Sequence, residues 1–104
     1  MKSKKEIEFS MFELVNVKSP DNTKTFIVNE EFTDGNYIHT SGIMEWNSGG
    51  AGIMYFTGKG KRVSAKWIDN NNLEIIYEQN LIFDKNENES FFQGDKVKIE
   101  YKAE

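Results

Sequence analysis

The sequence contains no cysteine, which removes disulfide staples, thiolate nucleophiles and sulfur-ligated zinc sites together. Proline is almost as scarce, with Pro20 alone, and 29% of residues are charged against 38% hydrophobic, a balance that argues against a low-complexity or disordered chain. Cations are outnumbered, 13 Lys and Arg against 17 Asp and Glu, for a net charge of -4. That disfavours a nucleic-acid binder, which needs a concentrated basic face. The best basic cluster, Lys59, Lys61 and Arg62 with Lys66 beyond, sits among glycines and reads as a solvated turn. No apolar run approaches the roughly 20 residues that span a bilayer. Lys2, Lys4 and Lys5 resemble the start of a signal peptide, but Glu6 and Glu8 follow with no apolar stretch. The chain as written therefore reads as cytoplasmic and without membrane contact, although removal of a leader would leave the same sequence.

What is present is β-strand signal in a single domain, residues 1–104, long enough for one core and no more. Val97, Ile99 and Tyr101 alternate with Lys96, Lys98, Glu100 and Lys102, and Val63, Ala65 and Trp67 alternate with Arg62, Ser64 and Lys66; each is a strand with one buried and one wet face. Asp69-Asn70-Asn71-Asn72 favours a turn, predicting a hairpin in which Trp67 lies across from Leu73 or Ile75. Gly42-Ile43-Met44-Glu45-Trp46 is echoed by Gly52-Ile53-Met54-Tyr55-Phe56 around Asn47-Ser48-Gly49-Gly50. A two-residue Ser48-Gly49 loop there predicts Trp46 opposite Ala51 and Met44 opposite Ile53.

Ser19-Pro20-Asp21-Asn22 separates Glu6–Val17 from Lys24–Phe32, and Asp34-Gly35-Asn36 separates Phe32 from a strand beginning near Tyr37. The N-terminal segment has two readings. Ser3 with Glu6 makes a capping box and Ile7, Met11, Leu14 and Val15 suit a helix, while the alternation of Ile7, Phe9 and Met11 and the frequent Phe and Val favour a strand. The expectation is an all-β domain of about eight short, mostly antiparallel strands, in a sandwich or a small, partly closed barrel.

Catalytic and cofactor motifs fail on inspection. His39 is the one histidine, and no serine sits in a nucleophile-elbow pattern. Gly52 to Gly58-Lys59-Gly60 is spaced wrongly for a phosphate loop and lacks the metal-binding Ser or Thr. Asp84, Asn86, Asn88, Ser90 and Asp95 fall on calcium-hand positions, but Glu89 stands where the turn needs Gly and Asp95 where a bidentate Glu belongs. Glu30 and Glu31, adjacent on a strand, point to opposite faces and cannot act as a pair.

Val17-Lys18-Ser19-Pro20-Asp21-Asn22 leading into Phe26-Ile27-Val28, the stretch from Lys66 to Ile75, and Gly94 to Tyr101 together resemble a pattern of small uncharacterised bacterial β-rich domains, some of them lipoproteins. The resemblance implies a bacterial β-rich domain without a known reaction. This chain departs from the lipoprotein versions in having no Cys to carry a lipid.

These features point to a non-catalytic protein-binding module without cofactor or metal, its partner another protein and neither nucleic acid nor membrane. An inhibitor of the toxin-immunity or phage counter-defence type suits its size, its acidity and its aromatic residues. Trp46, Tyr55 and Glu45 are the candidate binding residues. The rival expectation is a carrier whose β-barrel cavity, lined by Met44, Ile53, Trp67 and Ile75, holds a small apolar ligand.

Overall fold

The computed structural model describes residues 8–56, 63–79 and 87–104, with backbone alone for 51–56. The strands are β1 (Phe9–Lys18), β2 (Lys24–Thr33), β3 (Asn36–Trp46), β4 (Ala51–Phe56), β5 (Val63–Asp69), β6 (Asn72–Tyr77), β7 (Glu89–Phe92) and β8 (Asp95–Ala103). One sheet has the order β1-β2-β3-β4 and is antiparallel throughout; the other has the order β5-β6-β8-β7. The chain is all-β: the described residues contain no helix and the sheets do not close into a barrel.

The N-terminal segment is a strand from Phe9 onward, paired with β2 from Phe9 opposite Thr33 to Lys18 opposite Thr25. Its inward residues Val15 and Val17 lie across from Val28 and Phe26, burial that the helical alternative would forfeit. Ser3 and Glu6, the proposed capping box, lie outside the described residues. Asp34 and Gly35 adopt positive φ of 52° and 80°, the mirror-image turn that matches strand twist, so β2 and β3 follow each other with a two-residue connection. Trp67 lies opposite Leu73, as the Asp69–Asn72 turn predicts.

The β3–β4 hairpin is one residue out of its expected register. Glu45 faces Ala51, Met44 faces Gly52 and Ile43 faces Ile53, because the loop has three residues: Trp46 N–H donates to Gly50 C=O and Gly49 N–H donates to Trp46 C=O. Trp46 is thus set opposite Gly50. A Cβ on Gly50 would collide with the Phe92 ring, so only glycine lets Phe92 lie over this point and meet Trp46 at 5.9 Å between ring centroids. The second sheet also contains a parallel pair, β6 with β8. β8 forms a tight hairpin with β7, so it reaches β6 only after the chain has crossed over.

The sheets share one core: Val15, Phe26, Val28, Met44 and Trp46 from the first, Val63, Leu73, Ile75, Val97 and Ile99 from the second. Each such side chain contributes about 1.5–3 kcal/mol when fully buried. Within the alternation of β2 that supplies Phe26 and Val28, the next inward position is Lys24, 2% exposed. Its ammonium donates to Asp95 Oδ2 at 3.0 Å, and Trp46 Nε1 donates to the same oxygen at 2.9 Å. Asn71 Nδ2 donates to Asp95 Oδ1 at 2.9 Å. One carboxylate at the head of β8 therefore ties two strands of the opposite sheet to the β5–β6 turn. Nearby, Asp21 N–H donates to Asn70 Oδ1, Asn47 N–H donates to Thr23 C=O, and Trp67 Nε1 donates to Val17 C=O. The β1–β2, β3–β4, β5–β6 and β7–β8 turns meet at this latched end.

The hydrogen bond from Trp46, reinforced by Lys24 and Asn71, holds the Asp95 carboxyl below the ordinary carboxylate range. Bonds from Thr23 and Ser19 bring Asp21 down to about 2. Depressed carboxyls contribute stability that is present above their unfolded value of about 3.9 and is lost as pH falls through the folded value. The denaturation midpoint is expected to fall between about pH 4 and pH 2, and Asp95→Asn to flatten that fall. At neutral pH Asp95→Asn should cost about 2–3 kcal/mol, because it strands a buried ammonium beside partly solvated groups. Lys24→Met removes the buried charge and leaves Asp95 to Trp46, Asn71 and water, so it should cost under about 1 kcal/mol. Equal costs in chemical denaturation would show that the ion pair does not lock the sheets.

Candidate interaction surface

The end of the first sheet opposite the latch projects beyond the second sheet. By pairing, Phe12 lies opposite Glu30, and Phe32 lies opposite both Ser10 and Tyr37; strand parity sets all of them on the face that carries Phe26 and Val28 toward the core. Yet Phe12 is 59% exposed, so among the described residues no strand of the second sheet covers it, while Phe32 and Tyr37 are half-buried. The rings form a row: Phe12 meets Phe32 edge-on at 5.5 Å and Phe32 meets Tyr37 at 5.8 Å, with the Tyr37 hydroxyl and Thr40 Oγ1 2.7 Å apart.

Two irregularities separate this end from the core. The β1–β2 register slips between Glu13 and Val15, and the β2–β3 register slips between Glu31 and Phe32, leaving Leu14 and Ile38 as extra residues. Bulges sharpen local twist and re-aim side chains, and both of these side chains are exposed. On the opposite face Phe9 and Met11 are 55% and 54% exposed. The projecting end therefore carries exposed apolar side chains on both faces among its carboxylates, a concentration that marks interaction surfaces.

Glu31, His39 and Ser41 meet on that second face. His39 Nε2 lies 3.0 Å from Glu31 Oε2, and Ser41 Oγ donates to the same oxygen at 2.7 Å. Cross-strand pairing of Glu31 with His39 sets this up. A serine triad needs the imidazole between hydroxyl and carboxylate. Here the carboxylate is in the middle and Ser41 is buried, so the arrangement clasps β2 to β3.

The candidates from sequence fall elsewhere. Trp46 is 6% exposed and its indole N–H is engaged by Asp95, so it packs the core and offers a partner little surface. Glu45 is exposed opposite Thr25 and Ala51. The Tyr55 backbone pairs with Ser41, and its side chain is outside the described residues, as are Lys59, Lys61, Arg62, Asp84 and Asn86. Of the proposed cavity lining, Met44 and Ile75 pack in the shared core and Trp67 packs against it; the Ile53 side chain is not described. Asp95, position 12 of the calcium-hand spacing, directs its carboxylate to Lys24, Trp46 and Asn71. No family model, curated protein or solved structure matches this chain.

Phe12→Ser or Ile38→Ser should change stability by no more than about 0.5 kcal/mol while lowering the binding of a hydrophobic dye. Val28→Ala, from the same sheet but inside the core, should cost at least about 1 kcal/mol. A large loss for Phe12→Ser in the same denaturation series would mean that its ring is covered in solution.

Proposed function

We propose that this chain is a non-catalytic protein-binding module that engages its partner through the projecting end of the β1–β2–β3 sheet. The observation that carries this is Phe12, in line with the core residues of its sheet yet open to water, at the head of the Phe12–Phe32–Tyr37 row. Aromatic side chains bring large contact area with few rotors to freeze, which is why they dominate binding energy at interfaces. The latch at the other end supports such a role, since a surface held on a rigid sheet loses little entropy on binding. An inhibitor of the toxin-immunity or phage counter-defence type is the biological form that the small size and net charge of -4 suit best.

The test is affinity capture from the native host with the intact chain and three single variants. A specific partner should be retained by the parent chain and by Ile68→Ser, whose exposed side chain belongs to the second sheet, and lost with Phe12→Ser and Ile38→Ser. Retention by all four proteins alike, or by none, contradicts the assignment.

A further inference from the structure

Resting on that assignment, we infer that the β1 edge takes the partner by strand addition, and that the added segment is an extended, apolar stretch flanked by lysine or arginine. β1 ends its sheet. Asp34 N–H donates to Glu8 C=O, which makes Glu8 and Asp34 a hydrogen-bonded pair of the ladder. In an antiparallel ladder such pairs alternate, so Ser10 and Phe12 turn their backbone groups toward β2 while Phe9 and Met11 turn theirs away. Beyond the bulge at Leu14 the parity changes: Ser19 N–H donates to Lys24 C=O, so Val17 turns its carbonyl toward β2, and the Trp67 indole N–H donates to that carbonyl as well, where β5 adjoins β1. Nearer the projecting end the Phe9–Phe12 stretch carries none of the lysines or prolines that normally discourage pairing at an edge.

Charge selects the occupant. From Glu8 to Val17 and from Thr25 to Trp46 the sequence holds no lysine or arginine, and Glu8, Glu13, Glu30 and Glu31 surround the exposed Phe9, Met11 and Phe12. A strand laid along Glu8–Glu13 finds a carboxylate at each end and apolar side chains between them. Cations opposite Glu8 and Glu13, with branched apolar residues between, match that pattern in either strand direction. A second copy matches it poorly. Pairing centred on Met11 sets Phe9 against Glu13 of the other chain, pairing centred on Ser10 sets Phe12 against Glu8, and both gather two sets of glutamates along one edge without a lysine or arginine between Glu8 and Val17 to offset them.

The probe is the synthetic peptide Lys-Val-Thr-Val-Val-Lys, with a counterpart carrying Glu at both ends, titrated into the intact chain and its variants. The lysine peptide should bind, slow the exchange of the Phe9 and Met11 amides, and weaken as salt is raised. Met11→Pro deletes an outward N–H on an edge strand, where proline is tolerated, and should reduce affinity at least about tenfold. Met11→Ala keeps the N–H and should bind within about threefold of the parent. Equal affinity for the glutamate peptide, undiminished binding by Met11→Pro, or concentration-dependent dimers in place of peptide binding each overturns the inference. Capture of a host protein that depends on Phe12 but is indifferent to Met11→Pro overturns strand addition and leaves the binding module standing, whereas capture indifferent to both removes the two together.

Discussion

The Asp95 carboxylate is the point on which this architecture turns. It stands at the head of β8, and its Oδ2 receives both the buried Lys24 ammonium and the Trp46 indole N–H from the opposite sheet. A lysine at an inward position of a core strand is tolerable only with such a partner, since an ammonium deprived of water needs a compensating charge. The pair adds little net energy beyond what an apolar substitute would give. Its effect is geometric: Lys24, Trp46 and Asn71 can all reach the carboxylate only when the sheets are stacked in this one alignment.

That alignment fixes what is covered and what is not. With four turns gathered at the latched end, the second sheet overlies Val15, Phe26, Val28 and Met44 and stops short of Phe12. The first sheet continues past it, and the bulges at Leu14 and Ile38 divide the packed part from the projecting part. Core and aromatic row, with Phe12 exposed at its head, are therefore one inward face, split by where the partner sheet ends. Anchorage at one end thus fixes which residues are left uncovered at the other, which joins the polar chemistry of the latch to the binding role proposed for Phe12 and its neighbours.

Much of the local structure was legible in the sequence. Alternation marks the strands, and the Asp69–Asn72 and Asp34–Gly35 turns place Trp67 opposite Leu73 and Phe32 close to Tyr37, because turn chemistry acts within a few residues. Lys24 also shares the parity of Phe26 and Val28, a sign that it is buried, but nothing local identifies Asp95 as its partner 71 residues away. The Trp46–Gly50 register escaped because Phe92, far along the chain, decides it by occupying the space a side chain would need. The projecting face was hidden for a related reason. Phe12 has the same pattern as a core residue, and its exposure depends on the reach of a sheet assembled from β5 to β8, including the non-local parallel pair of β6 with β8.

Strand addition depends most directly on an open β1 edge at its projecting end, and residue-resolved amide hydrogen exchange of the free protein measures that. Ser10 and Phe12, paired to β2, should exchange slowly, while Phe9 and Met11, alternating with them, exchange at rates near those of an unstructured chain. Uniform protection from Phe9 to Phe12 in the free monomer would contradict it, because the edge would then already be filled.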